Sequence, residues 1–207
     1  MRTPLLSLSL PLLMIACGGD DAPGGIDAPG GVDATPGLDA PGTFGVTGTV
    51  TATGGATVPA GATAFAVWIV SATSPDYSFK FGDGPATTTS FTVGFGAAPP
   101  TQALNVAAPW QFGVAVLALA PSTDVPAEGV IPGSAPEPVG FSSRHAIIFK
   151  PAGGMGPDWL AAFPEGYSCG VCVDSPAGFD SFAPVACSAV VIDVPADLGT
   201  LDGCNWT

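Results

Sequence analysis

The amino-acid sequence predicts an all-β fold, and three observations support that prediction. Residues 44–53 alternate apolar side chains with threonines, which is the two-residue period of a strand buried on one face. Residues 64–70 are apolar at every position, as in a strand that is covered on both faces. Glycine and proline punctuate the chain between such segments. We therefore expect a single antiparallel β-sandwich, immunoglobulin-like or similar, over residues 43–207.

The remaining predicted elements follow in chain order. Further strands are expected at residues 77–81, 91–95, 110–119, 144–150 and 189–194. Only residues 157–163 have the pattern of a helical turn, which must end before Pro164. The intervening segment 120–140 contains five prolines and no strand pattern. A connection of this length is either functional or merely mobile, and we expect a mobile loop because the segment has no convergent set of polar residues.

The charge of the chain excludes one class of function. Residues 43–207 contain twelve acidic and three basic residues, a net charge of −9, and the whole chain carries −13. Such a surface repels the phosphate backbone, so nucleic-acid binding is excluded. The shortage of lysine also argues against docking of this domain on anionic lipid head groups.

The amino-terminal residues have the pattern of an export signal. An apolar run at residues 5–16 follows Arg2 and is too short to span a membrane. Its end, Met14-Ile15-Ala16-Cys17, resembles the lipobox of bacterial lipoprotein precursors. The resemblance implies that residues 1–16 are a signal peptide, and that Cys17 receives a diacylglyceryl group on its sulfur after cleavage. Gly18 replaces the aspartate that the family uses for inner-membrane retention, so we expect an outer-membrane anchor on either face.

Residues 17–42 are predicted to be a spacer behind that lipid. Asp21, Asp27, Asp33 and Asp39 each begin a copy of a six-residue repeat rich in alanine, proline and glycine. The repeat has too few apolar residues to form a core, so we expect disorder. Its reach as a coil is roughly 25–30 Å, and about 75 Å when fully extended.

Four cysteines remain for the folded domain: Cys169, Cys172, Cys187 and Cys204. An even number in an exported chain predicts two structural disulfides, with three pairings open. The Cys169-Gly-Val-Cys172 spacing also occurs in thiol redox proteins, but no βαβ pattern surrounds it. A zinc site would need a second close pair, which Cys187 and Cys204 do not form.

No catalytic set stands out in the sequence. His145 is the only histidine, and the chain has no Gly-x-Ser-x-Gly motif. A lone histidine at the start of an apolar strand is more often structural than catalytic. We therefore expect a domain that is not an enzyme, with an envelope hydrolase or thiol redox enzyme as the alternative.

The aromatic residues offer candidate ligand contacts. Trp68 and Trp110 lie within apolar strands and are expected in the core. Trp159 and Trp206 lie outside the predicted strands and are the candidate ligand contacts. No cofactor is expected beyond the lipid, with calcium as an alternative on carboxylates that lack EF-hand spacing, namely Asp76, Asp83, Asp193, Asp197 and Asp202.

The predicted function is the display of a non-catalytic domain from a membrane anchor, for binding, adhesion or surface assembly. Its partners are expected to be the membrane, through the lipid, and a glycan or a protein. A purely structural surface lipoprotein is the further alternative.

Overall fold

A computed structural model describes residues 44–71, 73, 75–174 and 181–204. The predicted signal peptide, Cys17, the spacer and Trp206 lie outside these residues. The described chain is all-β, as predicted, and its only helices are three short 3₁₀ turns. The twelve strands are β1 (Phe44–Ala52), β2 (Ala62–Val70), β3 (Tyr77–Pro85), β4 (Ser90–Phe95), β5 (Asn105–Ala107), β6 (Trp110–Pro121), β7 (Gly129–Val130), β8 (Gly140–Phe141), β9 (His145–Lys150), β10 (Gly166–Val173), β11 (Ser181–Val185) and β12 (Val190–Val194).

Seven of these strands close into a mixed barrel. Its order is β6-β2-β3-β4-β1-β12-β8, and β8 pairs back onto β6. The pairing of β1 with β12 is parallel, with Gly48 opposite Val190, and the other six pairings are antiparallel. The predicted antiparallel β-sandwich is therefore not confirmed, because the sheet closes on itself through one parallel pair.

The long strand β6 belongs to two parts of the sheet. Its second half pairs with β8, where Ala118 lies opposite Phe141. Its first half pairs with β9, where Gly113 lies opposite Phe149. Strands β9, β10 and β11 thereby extend the sheet beyond the barrel.

The alternation of side chains along β6 divides the core in the same way. Ala115, Leu117 and Leu119 point into the barrel, where they join the fully buried Trp68. Phe112 and Val114 point to the opposite face and form a second core with β9, β10 and β11. The predicted burial of β2 on both faces and the core position of Trp68 are confirmed.

The second core is covered by the short helix that the sequence predicts. Residues Asp158–Ala162 form a 3₁₀ helix and place Leu160 and Phe163 on the buried residues Phe112 and Phe182. Pro164 follows at once, and its preceding residue Phe163 is extended, as the residue before a proline prefers to be.

Two disulfides form on opposite faces of β10. Cys169 bonds to Cys187 in the barrel core, and Cys172 bonds to Cys204 in the second core. Two structural disulfides are thus confirmed, and the pairing is now defined. The redox alternative needed a bond between Cys169 and Cys172, whereas each of these residues has a different partner.

The two ends of the barrel differ in which strands begin there. The entry end is defined by Phe44, Tyr77 and Trp110, where β1, β3 and β6 begin. The groove end is defined by Ala62, Pro85 and Pro121, where β2 begins and where β3 and β6 end.

Candidate functional site

A groove of about 670 Å³ opens at the groove end of the barrel. It lies between the start of β2, the end of β3 and the segment that follows β6. Its polar lining includes Thr63, Lys80, Asp83 and Ser122. Most of its other walls are small residues, so backbone and polar side chains are accessible from outside.

A bulge in β3 brings Lys80 and Asp83 together. Residues three apart on a regular strand point to opposite faces. Here Val67 lies opposite Lys80 and Phe65 lies opposite Asp83, so β3 contains one residue more than β2. Gly82 provides the bend with a φ of +93°, and a side chain there would collide with the ring of Phe95.

Lys80 is a buried cation between two accessible anions. Its side chain is only 4% exposed, and Nζ donates a hydrogen bond to Oδ2 of Asp83. Oε1 of Glu128 lies 3.9 Å from the same nitrogen. Because Asp83 and Glu128 are 47% and 62% exposed, both carboxylates can accept further bonds from a ligand. The group as a whole carries one net negative charge.

The long proline-rich segment supplies Glu128. Strand β7 pairs with β3, placing Gly129 opposite Lys80 and Val130 opposite Phe79. The amide of Ile131 also donates to the carbonyl of Ser78, at 2.9 Å. The prediction that this segment has no convergent polar set is therefore wrong, since it completes the group around Lys80.

Hydroxyl groups line the other side of the groove. The hydroxyls of Thr63 and Ser122 are 2.8 Å apart, and Ser122 also donates to the carbonyl of Gly61. This arrangement offers hydrogen-bond acceptors and hydroxyls without an adjacent imidazole. It can bind a polar or cationic ligand, but it lacks the nucleophile and base pair of a hydrolase.

His145 lies elsewhere, at the start of β9. Burial lowers its pKa below the ordinary value of 6.5, the charge of Asp193 partly offsets that effect, and Arg144 adds to it. The hydroxyl of Ser142 donates to the backbone carbonyl of His145 and accepts from the amide of Leu117, at 2.8 Å each. Ser143 donates to Asp193 at 3.1 Å. Both serines are thus engaged in structural hydrogen bonds.

Trp110 is placed differently from its predicted position, and Trp159 lies away from the groove. Trp159 is half-buried, and its ring packs edge-on against Phe112, Phe163 and Phe182 at 5.4–5.9 Å. It lies on the second core, whereas the groove lies beyond the other end of β6, so the two do not form one site. Trp110 was expected in the core and is instead 44% exposed, because it occupies the first position of β6.

Four of the five carboxylates considered for calcium have separate partners. Asp193 accepts from Ser143, Asp197 accepts from the amide of Gly199, and Asp83 pairs with Lys80. Asp202 lies 4.0 Å from Arg144. Over the described residues, no three acidic, histidine or cysteine side chains converge in a way that could hold a metal ion.

Comparisons with known proteins give no information about the function of this site. No family model, no curated protein and no solved structure matches the chain. In the part of the chain that the structure describes, no helix has the length and apolar character needed to cross a membrane.

Proposed function

We propose that this protein is an outer-membrane lipoprotein whose barrel domain binds a protein ligand without catalysis. The lipobox at Met14-Ile15-Ala16-Cys17 and the predicted spacer support the anchor. The groove beside Lys80 supports the binding role. Phe44, the first described residue, lies opposite Phe95, and the neighbouring Gly94 lies opposite Asp83, so the charged part of the groove is two strands away from the point where the chain enters the fold.

The observation that carries the binding role is the charge arrangement at Lys80. A single buried ammonium faces two carboxylates, and these keep free acceptor sites because both are exposed. An arginine or lysine side chain from a ligand would balance the remaining negative charge. Hydrogen bonds that involve a charged group contribute about 1.5–3 kcal/mol each. The groove has no aromatic lining on which a sugar ring could stack, so a peptide segment with a basic side chain fits better than a glycan.

The test compares peptide binding by two matched variants of one loop. Glu128→Gln removes the carboxylate that lies 3.9 Å from the ammonium of Lys80, a residue of the groove, whereas Glu137→Gln removes an exposed carboxylate of the same loop away from Lys80. Calorimetry with short peptides carrying one arginine, one lysine or one glutamate is the measurement. We expect saturable binding of the basic peptides, weakened about tenfold or more by Glu128→Gln and unchanged by Glu137→Gln.

Other outcomes would assign the protein to another class. Binding confined to a glycan array, or equal loss in both variants, would contradict the proposed peptide site. Hydrolysis of a peptide or ester substrate that is abolished by a change at His145 would favour the enzyme alternative. The anchor is tested separately by mass spectrometry of Cys17 in the native protein, where an unmodified thiol would refute it.

A further inference from the structure

An apolar hairpin projects from the entry end of the barrel. Strands β5 and β6 are joined by the two-residue turn Ala108–Pro109. All five residues from 106 to 110 are apolar, and all five are exposed. Val106 is 48% exposed and Trp110 is 44% exposed. Since Val106 pairs with Gln111 and Ala107 pairs with Trp110, the two large side chains lie on opposite faces of the hairpin.

The base of the hairpin is firmly attached to the barrel. The side chain of Asn105 donates to the carbonyl of Ile69 at 3.0 Å and accepts from the amide of Ser71 at 2.8 Å. Phe112, on the other strand, is buried in the second core. Trp110 packs edge-on against Phe112 with ring centroids 6.0 Å apart, whereas the other residues of the tip belong to neither core.

The tip lies in an uncharged stretch of the sequence. No charged residue occurs between residues 84 and 123, although the chain as a whole is strongly acidic. Met155 lies next to the hairpin, because its carbonyl accepts a 2.7 Å hydrogen bond from the amide of Gln111. Its exposed side chain extends the apolar surface. We call residues 106–110 together with Met155 the apolar tip.

The chain enters the fold at the same end. Phe44, the first described residue, stacks on Tyr167 with ring centroids 4.8 Å apart. Tyr167 lies opposite Phe149, and Phe149 lies opposite Gly113, three residues from Trp110. The predicted spacer precedes Phe44 in the sequence, and its coil reach is roughly 25–30 Å.

We infer that the apolar tip inserts into the membrane interface to which Cys17 is anchored. The inference rests on the proposed lipid anchor. Tryptophan is favoured at the boundary between head groups and acyl chains, and valine and methionine are favoured just below it. A short spacer keeps the tip at a local concentration in the millimolar range, so weak insertion suffices. Because the domain is acidic, a neutral lipid surface is the fitting partner.

The experiment measures contact between Trp110 and the acyl chains. The full-length lipidated protein is reconstituted in phosphatidylcholine vesicles that contain brominated acyl chains, and tryptophan quenching is recorded. Val106→Asp is compared with Val130→Asp, which changes an exposed valine on β7. We expect quenching of the parent protein and of Val130→Asp, a loss of at least about threefold in Val106→Asp, and loss of the quenched component in Trp110→Phe.

Each alternative outcome has a distinct meaning. If Cys17 carries its lipid but quenching is absent, or is equal in both valine variants, insertion is refuted while the anchor stands. If Val106→Asp changes only the oligomeric state in ultracentrifugation, the tip contacts a second copy, and insertion is again refuted. If Cys17 carries no lipid, both the anchor and the inference fail. Thermal unfolding shows that each variant is folded, and Val106→Asn replaces Val106→Asp if the latter is not.

Discussion

The buried ammonium of Lys80 depends on Asp83 for most of its stabilisation, which makes the pair directly testable. Asp83→Asn keeps the shape of the side chain and removes its charge, while the ammonium stays buried. Lys80→Met removes the ammonium and keeps an apolar chain of similar volume. The two substitutions should therefore lower the free energy of unfolding by very different amounts, although both break the same interaction.

The exposure of Asp83 and Glu128 determines how much the free energy of unfolding falls when the ion pair is broken. Breaking a fully buried ion pair by removing one partner costs about 3–5 kcal/mol. Asp83 is 47% exposed and Glu128 remains 3.9 Å from Nζ, so part of that cost is recovered. We expect Asp83→Asn to lower the free energy of unfolding by about 1.5–3 kcal/mol. Lys80→Met should change it by less than about 1 kcal/mol, because the carboxylate left behind is solvated.

Urea unfolding of the single and double variants provides the assay. In the Lys80→Met background, Asp83→Asn should cost almost nothing, which gives a coupling energy of about 1.5–3 kcal/mol. Asp76→Asn, an exposed aspartate ahead of β3, is the matched control and should be neutral within about 0.5 kcal/mol. An equal loss from Asp83→Asn with and without Lys80 would refute the reasoning.

Two further predictions concern the disulfides and the histidine. Replacing both Cys172 and Cys204 by alanine should lower the free energy of unfolding by about 3–4 kcal/mol, because that bond closes a loop of 32 residues; a change below about 1 kcal/mol in urea unfolding would contradict this. Burial lowers the folded pKa of His145, so the unfolded chain takes up a proton first. Stability should be greatest above pH 6.5 and fall as the pH decreases towards the lowered folded value. His145→Gln should remove that fall, as measured by unfolding at several pH values.

Local patterns in the sequence were sufficient for seven of the twelve strands and for the main core residue, but they did not reveal β5, β7, β8, β10 or β11. The alternation in β1, the continuous apolar run of β2 and the position of Trp68 are consequences of neighbouring residues, and the structure confirms them. The number of disulfides followed from the even count of cysteines. These features do not depend on how the strands are arranged in space.

The features that define the candidate site depend on contacts between distant residues. Lys80 and Asp83 meet only because of a bulge, and Glu128 arrives through the pairing of β7 with β3. Trp110 is exposed because β6 begins beyond the edge of the core, a boundary that an apolar run does not reveal. A lone lysine in an otherwise apolar and glycine-rich strand was the available signal for the site.

The parallel pairing of β1 with β12 has a consequence for how the domain is made. About 140 residues of sequence separate the two strands. Contacts between residues that are so far apart in the sequence slow folding. Until β12 arrives, β1 presents an unpaired edge that can recruit strands from other molecules. A chain that emerges amino-terminus first must therefore be shielded until β12 is available, and a translation product that stops before Val190 is expected to aggregate rather than persist as a smaller folded protein.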